Sequence, residues 1–285
     1  MNYGINNSTG KPSFAAIKKI VQTALASGIT CFDTAPEYGD TEKMLGQCLT
    51  NIDKQGLFFI SKLPPMDWSL SQEEIIDRVS TSIRRTCTDL AIPCIPIYLF
   101  HRFQDLQKEN GLLLHELKQM KTRGVINHIG VSIYTQQEAE IAISIPELEV
   151  IQFPFNLVDK RLLFNGMLTR ATKKKKMLLA RSVFLQGLFF KEDLPSHLLP
   201  FKPYQQLLRN IAEETHLSLE ELALRYVLGI EEIHRILVGV ETVKQLQEDV
   251  EIFKKGKLPQ QVIDRINTLA SPPENIINPS LWGKS

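Results

Sequence analysis

The chain has 285 residues, with 33 Lys and Arg against 32 Asp and Glu, so its net charge is +1. That balance offers no bulk electrostatic attraction to nucleic acid or to an anionic membrane surface. Apolar residues make up 43% and charged residues 23%, ordinary for a soluble globular protein whose core needs no disulfide staples. No apolar stretch reaches the roughly 18 residues of a membrane span. The polar start Met1-Asn2-Tyr3-Gly4 does not read as a signal peptide. Four cysteines, Cys31, Cys48, Cys87 and Cys94, show no C-x-x-C and no zinc spacing with the six histidines. The expectation is a reduced, cytoplasmic, metal-free protein that meets neither nucleic acid nor membrane. Cys31 and Cys94 lie in apolar strand contexts and read as core thiols.

Residues 4–11 (GINNSTGK) superficially match a phosphate-binding loop. The glycine spacing is one too long and Pro12 stands where Ser or Thr is needed, so no phosphate role is assigned. Residues 14–27 carry a helical apolar period and lead into the strand run 28–35 (GITCFDTA). Strand runs follow at 57–63 (LFFISKL), 95–101 (IPIYLFH), 126–132 (INHIGVS), 150–155 (VIQFPF), 176–183 (KMLLARSV) and 234–240 (HRILVGV). Helical patterns separate them at 72–90 and 106–121, and two more, 203–215 and 219–228, fit an insertion before the last strand. This alternation predicts a parallel sheet with crossover helices. The runs are nearly all apolar, as when both sheet faces are buried. No G-x-G-x-x-G follows any strand, which argues against a Rossmann cofactor turn.

The runs number seven, and a (β/α)8 barrel needs eight. The missing one is the first. The favoured reading is that the stated start lies downstream of the true one; the alternative is a barrel that tolerates the gap. Residues 1–285 read as a single domain without a linker. The run Lys173-Lys174-Lys175-Lys176 reads as the solvated end of a helix, where cations suit the dipole.

Four residues stand at or just beyond strand ends: Asp33, Tyr38, Lys62 and His101. A buried lysine beside a carboxylate, with a tyrosine and a histidine close by, can make a phenol a usable acid near neutral pH. Lys⁺ against the phenol favours phenolate, and the carboxylate keeps the lysine charged. Taken singly, Asp33 could be a helix N-cap, Tyr38 an aromatic rim residue, Lys62 a snorkelling strand end and His101 a satisfied core histidine. Their joint order and spacing favour a site.

The run GITCFDTAPEYGDTEKMLG at 28–46, followed by SKL and YLFHR, resembles the aldo-keto reductase family. The resemblance continues through GVSIY, IQFPFN, ARSVFLQG and VGVETVKQLQED and so covers nearly the whole chain. It implies a TIM-type (β/α)8 barrel, here lacking its first strand, with chemistry at the C-terminal ends of the strands. It implies that Tyr38 is the general acid in carbonyl reduction, that Lys62 lowers its pKa, that Asp33 pairs with Lys62 and that His101 orients the substrate carbonyl. It further implies NADP or NAD as hydride source. Ser132 and Gln152 match positions that bond the carboxamide, with Ile133 where the family often has Asn. Arg181 falls where the nicotinamide ring is stacked, and Ser182, Gln186 and Gly187 fall along the pyrophosphate. Gly239, Glu241, Thr242, Gln245, Glu248 and Asp249 fall at the adenine end. Glu241 would repel a 2′-phosphate and Gln245 replaces a common Arg, so a weakened preference for NADP is expected, which opens the site to NAD, with Lys244 as partial compensation. Expected contributors to the substrate pocket are Pro36, Trp68, Phe103 and Phe155.

The resulting expectation is an oxidoreductase interconverting a small-molecule carbonyl, sugar-derived by resemblance, and its alcohol. A cofactor-binding but catalytically weak protein is the alternative. A metal-dependent hydrolase is disfavoured, because the histidines lack ligand pairing.

Overall fold

The computed structural model describes Gly10 and residues 12–282. Residues 4–9 and 11 of the glycine-containing N-terminal run fall outside the described residues.

Strands and helices alternate along the chain. The strands are β1 (Cys31–Asp33), β2 (Phe58–Leu63), β3 (Ile95–Phe100), β4 (Ile126–Ser132), β5 (Val150–Pro154), β6 (Met177–Arg181) and β7 (Arg235–Ile236). They hydrogen-bond in sequence order, and the described pairings are parallel. Lys62 lies opposite Leu99, and Ser132 opposite Gln152.

The helices are α1 (Phe14–Ala26), α2 (Thr41–Cys48), α3 (Gln72–Leu90), α4 (Phe103–Gln107), α5 (Leu112–Thr122) and α6 (Gln136–Ser144). They continue with α7 (Arg161–Phe164), α8 (Met167–Lys173), α9 (Lys202–Thr215), α10 (Leu219–Leu228), α11 (Val243–Lys254), α12 (Gln260–Asn267) and α13 (Glu274–Ile277). Helix α3 starts at a capping box: the Ser71 hydroxyl accepts from Glu74 N while the Glu74 carboxylate accepts from Ser71 N. Its apolar stripe Ile75, Val79, Ile83 and Leu90 is buried. At Gly46 on α2 an added Cβ would come within 1.9 Å of the Asp89 carbonyl oxygen, so only glycine lets the α2 backbone approach α3 this closely.

The chain forms two compact units. Among the described residues, the first holds 13–152 and 173–177, and the second holds 153–172 and 178–282. In the first, Ile60, Ile95, Ile97, Leu99, Ile129 and Val131 fill the strand interior. In the second, Phe153 meets Phe155 edge to face in the core, and the Phe155 and Tyr226 rings stack 5.9 Å apart and 3° from parallel.

Four expectations need correction. The helical run 106–121 is two helices, because Glu109, Asn110 and Gly111 all take positive φ and break the turn between α4 and α5. The apolar run 234–240 is a strand only over Arg235–Ile236, with the N–H groups of His234 and Leu237 bonding to β6 on either side. Lys176 is not solvated: it is 3% exposed, and its Nζ donates to the carbonyls of Ile145, Pro146 and Leu148. Cys48 is the buried thiol, whereas Cys31 and Cys94 are half-buried, as short strand ends leave them near the surface.

Candidate active site

Asp33 ends β1, Lys62 is the penultimate residue of β2, and His101 directly follows β3. Because these neighbouring strands run parallel, all three residues sit at one edge of the sheet. Tyr38 closes a short 3-10 turn, Pro36–Tyr38, just after β1. Gly39 follows with φ 73° and ψ −128°, a backbone conformation open to glycine, which turns the chain into α2.

Lys62 Nζ donates to Asp33 Oδ1 at 2.9 Å, to Asp33 Oδ2 at 2.8 Å and to the Thr34 carbonyl at 2.9 Å. An ammonium has three protons to give, so its geometry is fully determined. The Lys62 side chain is 1% exposed and that of Asp33 21%. The Nζ lies 5.0 Å from the centroid of the Tyr38 ring. The rings of Tyr38 and His101 meet edge to face, with centroids 5.9 Å apart and planes at 89°. Burial alone would pull the Lys62 pKa down. The Asp33 carboxylate, and behind it Tyr38, outweigh that effect and hold it above the ordinary lysine range.

Gln152 Nε2 donates to Asp33 Oδ1 at 3.0 Å, so one carboxylate oxygen takes two donors. Ser132 and Gln152 are both buried, and Ile133, whose N–H donates to the Gln152 carbonyl, is fully buried as well. On the same unit, Trp68 Nε1 donates to Asp105 Oδ1 at 2.8 Å. This bond ties the loop after β2 to the helix that follows His101. Thr34 and Asp105 escaped sequence reasoning. Thr34 acts through its carbonyl, which any residue would supply, and Asp105 acts across 37 positions with no local signal. The Asp33–Gln152 contact spans 119 positions and is equally non-local.

In the second unit, Arg181 ends β6 and its Nη1 donates to Ser182 Oγ at 3.2 Å. The following loop is left-handed at Ser182 (φ 59°), Leu185 (φ 46°), Gln186 (φ 53°) and Gly187 (φ 86°). Turns of this kind can present backbone N–H groups on one side, a feature that anion sites use. Farther on, Thr242 caps α11 in a capping box. The Gln245 side chain accepts from Glu241 N at 2.8 Å and Thr242 N at 3.2 Å, and Gln245 N donates to Thr242 Oγ1 at 3.1 Å. Gly239, just before, is exposed. Lys244 lies 3.7 Å from Glu248. Burial, with Glu248 and Glu220 nearby, pushes the Asp249 carboxyl up to about 7.

Of the expected pocket residues, Pro36 and Trp68 are half-buried and Phe103 is buried. Phe155 is a correction: at 0% exposure, stacked on Tyr226, it belongs to the core and lines no open pocket. Asp33 serves no helix as N-cap, since its carboxylate is taken by Lys62 and Gln152. Among the described residues no His, Cys, Asp or Glu cluster could hold a metal ion, and no helix is long and apolar enough to cross a membrane.

A profile of the aldo/keto reductase family matches residues 1–271. The chain is 25% identical over 281 residues to D-arabinose 1-dehydrogenase of Saccharomyces cerevisiae, covering 87% of this chain and 80% of that protein. It is 24% identical over 277 residues to L-galactose dehydrogenase of Arabidopsis thaliana, covering 91% and 86%. Among solved structures, the apo form of an aldo-keto reductase from Bacillus halodurans matches with TM-score 0.75 at 19% identity, covering 91% of this chain and 88% of that one. The glycerol dehydrogenase from Gluconobacter oxydans matches with TM-score 0.71 at 18% identity, covering 93% of each. These likenesses show the fold, a TIM-type (β/α)8 barrel, of which seven strands lie among the described residues. Family members use NAD(P)H as cofactor. With the profile spanning nearly all of the sequence, the chain belongs to the aldo/keto reductase family and is an oxidoreductase.

Proposed function

We propose that the protein interconverts an aldehyde or ketone with its alcohol, with Tyr38 as the proton donor in reduction. The observation that carries this reading is the buried Lys62 ammonium, held by Asp33 and Thr34 and placed 5.0 Å from the Tyr38 ring. A fixed cation there stabilises the negative charge that develops on the phenol oxygen as it gives up its proton. His101, whose ring meets that of Tyr38 edge to face, would bond the carbonyl oxygen and orient it. Gln152 and Lys62 together keep Asp33 an acceptor and hold it in place.

A bound nicotinamide dinucleotide would supply hydride chemistry that no side chain can, and Tyr38 would give its proton to the carbonyl oxygen. In the first unit, Ser132 and Gln152 would take its carboxamide, and Ile133 offers only a backbone group where an Asn side chain is frequent. In the second unit, the left-handed loop at Ser182, Gln186 and Gly187 suits a diphosphate, and Arg181 before it offers a flat guanidinium for ring stacking. Gly239, Glu241, Thr242, Gln245, Glu248 and Asp249 would take the adenosine end. Gln245 is committed to the α11 capping box, and Glu241 disfavours a 2′-phosphate, so NADH is the expected partner.

The names of two relatives, a D-arabinose and an L-galactose dehydrogenase, support a sugar-derived substrate. Pro36, Trp68 and Phe103 would supply apolar walls for it. A cytoplasmic location accords with free cysteines and cofactor supply. The test is titration of the purified protein with NADH and NADPH by tryptophan fluorescence, followed by turnover with a panel of aldoses, aldehydes and ketones. Saturable binding with turnover of a carbonyl supports the reading. A folded protein that binds neither dinucleotide refutes it.

A further inference from the structure

The loop after β6 is strained where a ligand-binding backbone is needed, and two buried carboxamides grip it from either side. Three non-glycine residues, Ser182, Leu185 and Gln186, take left-handed φ within five positions, and Gly187 extends the run. Such a segment persists only when its surroundings impose it. Within the loop, Leu185 N donates to the Ser182 carbonyl at 2.9 Å and Gly187 N to that of Phe184 at 2.8 Å, two turns that leave an exposed tip at Gln186. Val183, Leu185, Leu188 and Phe189 are buried around it.

At the entry, Asn156 is fully buried. Its Nδ2 donates to the Ser182 carbonyl at 3.1 Å, and its Oδ1 accepts from Val158 N at 3.0 Å and Asp159 N at 2.9 Å. At the exit, the buried Gln205 on α9 aims Nε2 at three carbonyls: Lys191 at 2.8 Å, Leu188 at 2.9 Å and Phe189 at 3.4 Å. An amide has two protons, so the first two bonds take them and the third carbonyl shares one. A carboxylate in that place would face three carbonyl oxygens with no proton to give, and an apolar side chain would leave buried acceptors unmet.

We propose that Asn156 and Gln205 are positioning residues that hold the 182–187 loop in the left-handed shape that receives a dinucleotide's diphosphate. The inference rests on the dinucleotide reading above. It makes Gln205, which touches no ligand itself, a determinant of cofactor affinity, and it separates that role from the adenosine end at the start of α11.

The test compares wild type with Gln205→Met, Gln205→Glu and Asn156→Asp. The last keeps the acceptor for Val158 and Asp159 and removes only the donor to Ser182. Each protein is titrated with whichever of NADH or NADPH the wild type binds, and displacement measures a fragment that lacks the diphosphate, adenosine or adenosine 2′-monophosphate. In folded variants the dinucleotide dissociation constant is expected to rise about tenfold or more, while that of the fragment stays within about twofold. A merely structural role would weaken both alike, and that result overturns the proposal, as does unchanged dinucleotide affinity in any folded Gln205 variant. Wild type that binds neither dinucleotide refutes the cofactor reading and this inference with it. Wild type that binds, matched by its variants, refutes the inference alone.

Discussion

Removing either partner of the Lys62–Asp33 pair should destabilise the protein unequally, and the two exposures set the order. Lys62 is 1% exposed and Asp33 21%. Asp33→Asn leaves a cation sealed from water with the Thr34 carbonyl and a neutral amide. Stranding a buried charge in this way costs about 3–5 kcal/mol. Lys62→Met leaves a carboxylate that water reaches and that still accepts from Gln152 Nε2 at 3.0 Å. The loss there is closer to that of a charged hydrogen bond, about 1.5–3 kcal/mol. Urea unfolding at pH 7 with unchanged m-values would measure both. The pH dependence gives an independent sign. In wild type the folded lysine pKa lies above its ordinary 10.5, so the pair's stabilisation is fully present below that pH and is lost as pH rises through the folded value. In Asp33→Asn, burial acts without the carboxylate and the folded pKa drops below the unfolded one. The folded state then binds fewer protons, and stability should climb as pH rises toward 10.5. If Lys62→Met proves as damaging as Asp33→Asn, or if both proteins lose stability together above neutral pH, the account of this buried charge fails.

Tyr38→Phe should lower turnover by about 10²–10⁴ while leaving dinucleotide affinity unchanged, since only the proton donor is lost; wild-type rates in steady-state assays would remove Tyr38 from that role. Phe155→Ala should lower stability by about 3–5 kcal/mol and leave the order of preferred substrates as it was, because the ring lies in the core; a changed substrate order would return Phe155 to the pocket. Lys160 is fully buried, donates to the carbonyls of Ile266 at 2.5 Å and Leu269 at 3.0 Å, and is pulled by burial from 10.5 to about 8. Between those two values the unfolded lysine holds its proton more firmly than the folded one, so wild-type stability should rise with pH there; Lys160→Met should lack that rise in urea titrations at pH 8 and pH 10. Glu241→Arg should raise the affinity for NADPH relative to NADH by about tenfold, the worth of one charge-assisted contact, and fluorescence titration showing no change in the ratio would take Glu241 out of the 2′-phosphate argument.

Local signals were readable wherever the chemistry was local. The run 72–90 is helical over those residues because Ser71 and Glu74 form a capping box, and 219–228 because Ser218 caps it and Gly229 ends it. The run 126–132 is the strand β4 over its full length. The four residues at strand ends do converge, because neighbouring parallel strands bring their C-terminal ends to one edge. What escaped was non-local or masked by periodicity. Apolar spacing continues across α4 and α5, and the break is written only in the dipeptide Asn110-Gly111, a turn signal that periodicity overrode. Apolar residues at a strand end do not say which way the ring points, so Phe155 passed for pocket lining. A run of four lysines hid the one whose side chain turns inward.

That inward lysine belongs to a set that explains what is particular about Lys62. Lys54 donates to the carbonyls of Leu90 and Ala91, Lys160 to those of Ile266 and Leu269, and Lys176 to those of Ile145, Pro146 and Leu148. Each closes the C-terminal end of a helix, where the macrodipole favours a cation. In all three, burial still wins and the pKa falls below the ordinary lysine value. Lys62 has the Thr34 carbonyl too, yet its pKa moves the other way, and what it has in addition is the Asp33 carboxylate, with Tyr38 behind it. Asp33 is therefore the group that converts a lysine prone to lose its charge into a permanent one, and Gln152, by donating to Asp33, supports that conversion from β5. A structural lysine can tolerate neutralisation, because its remaining protons still bond the carbonyls. A lysine that must stabilise charge on a neighbouring phenol cannot, and of these four lysines Lys62 is the one whose ammonium is bonded to a carboxylate.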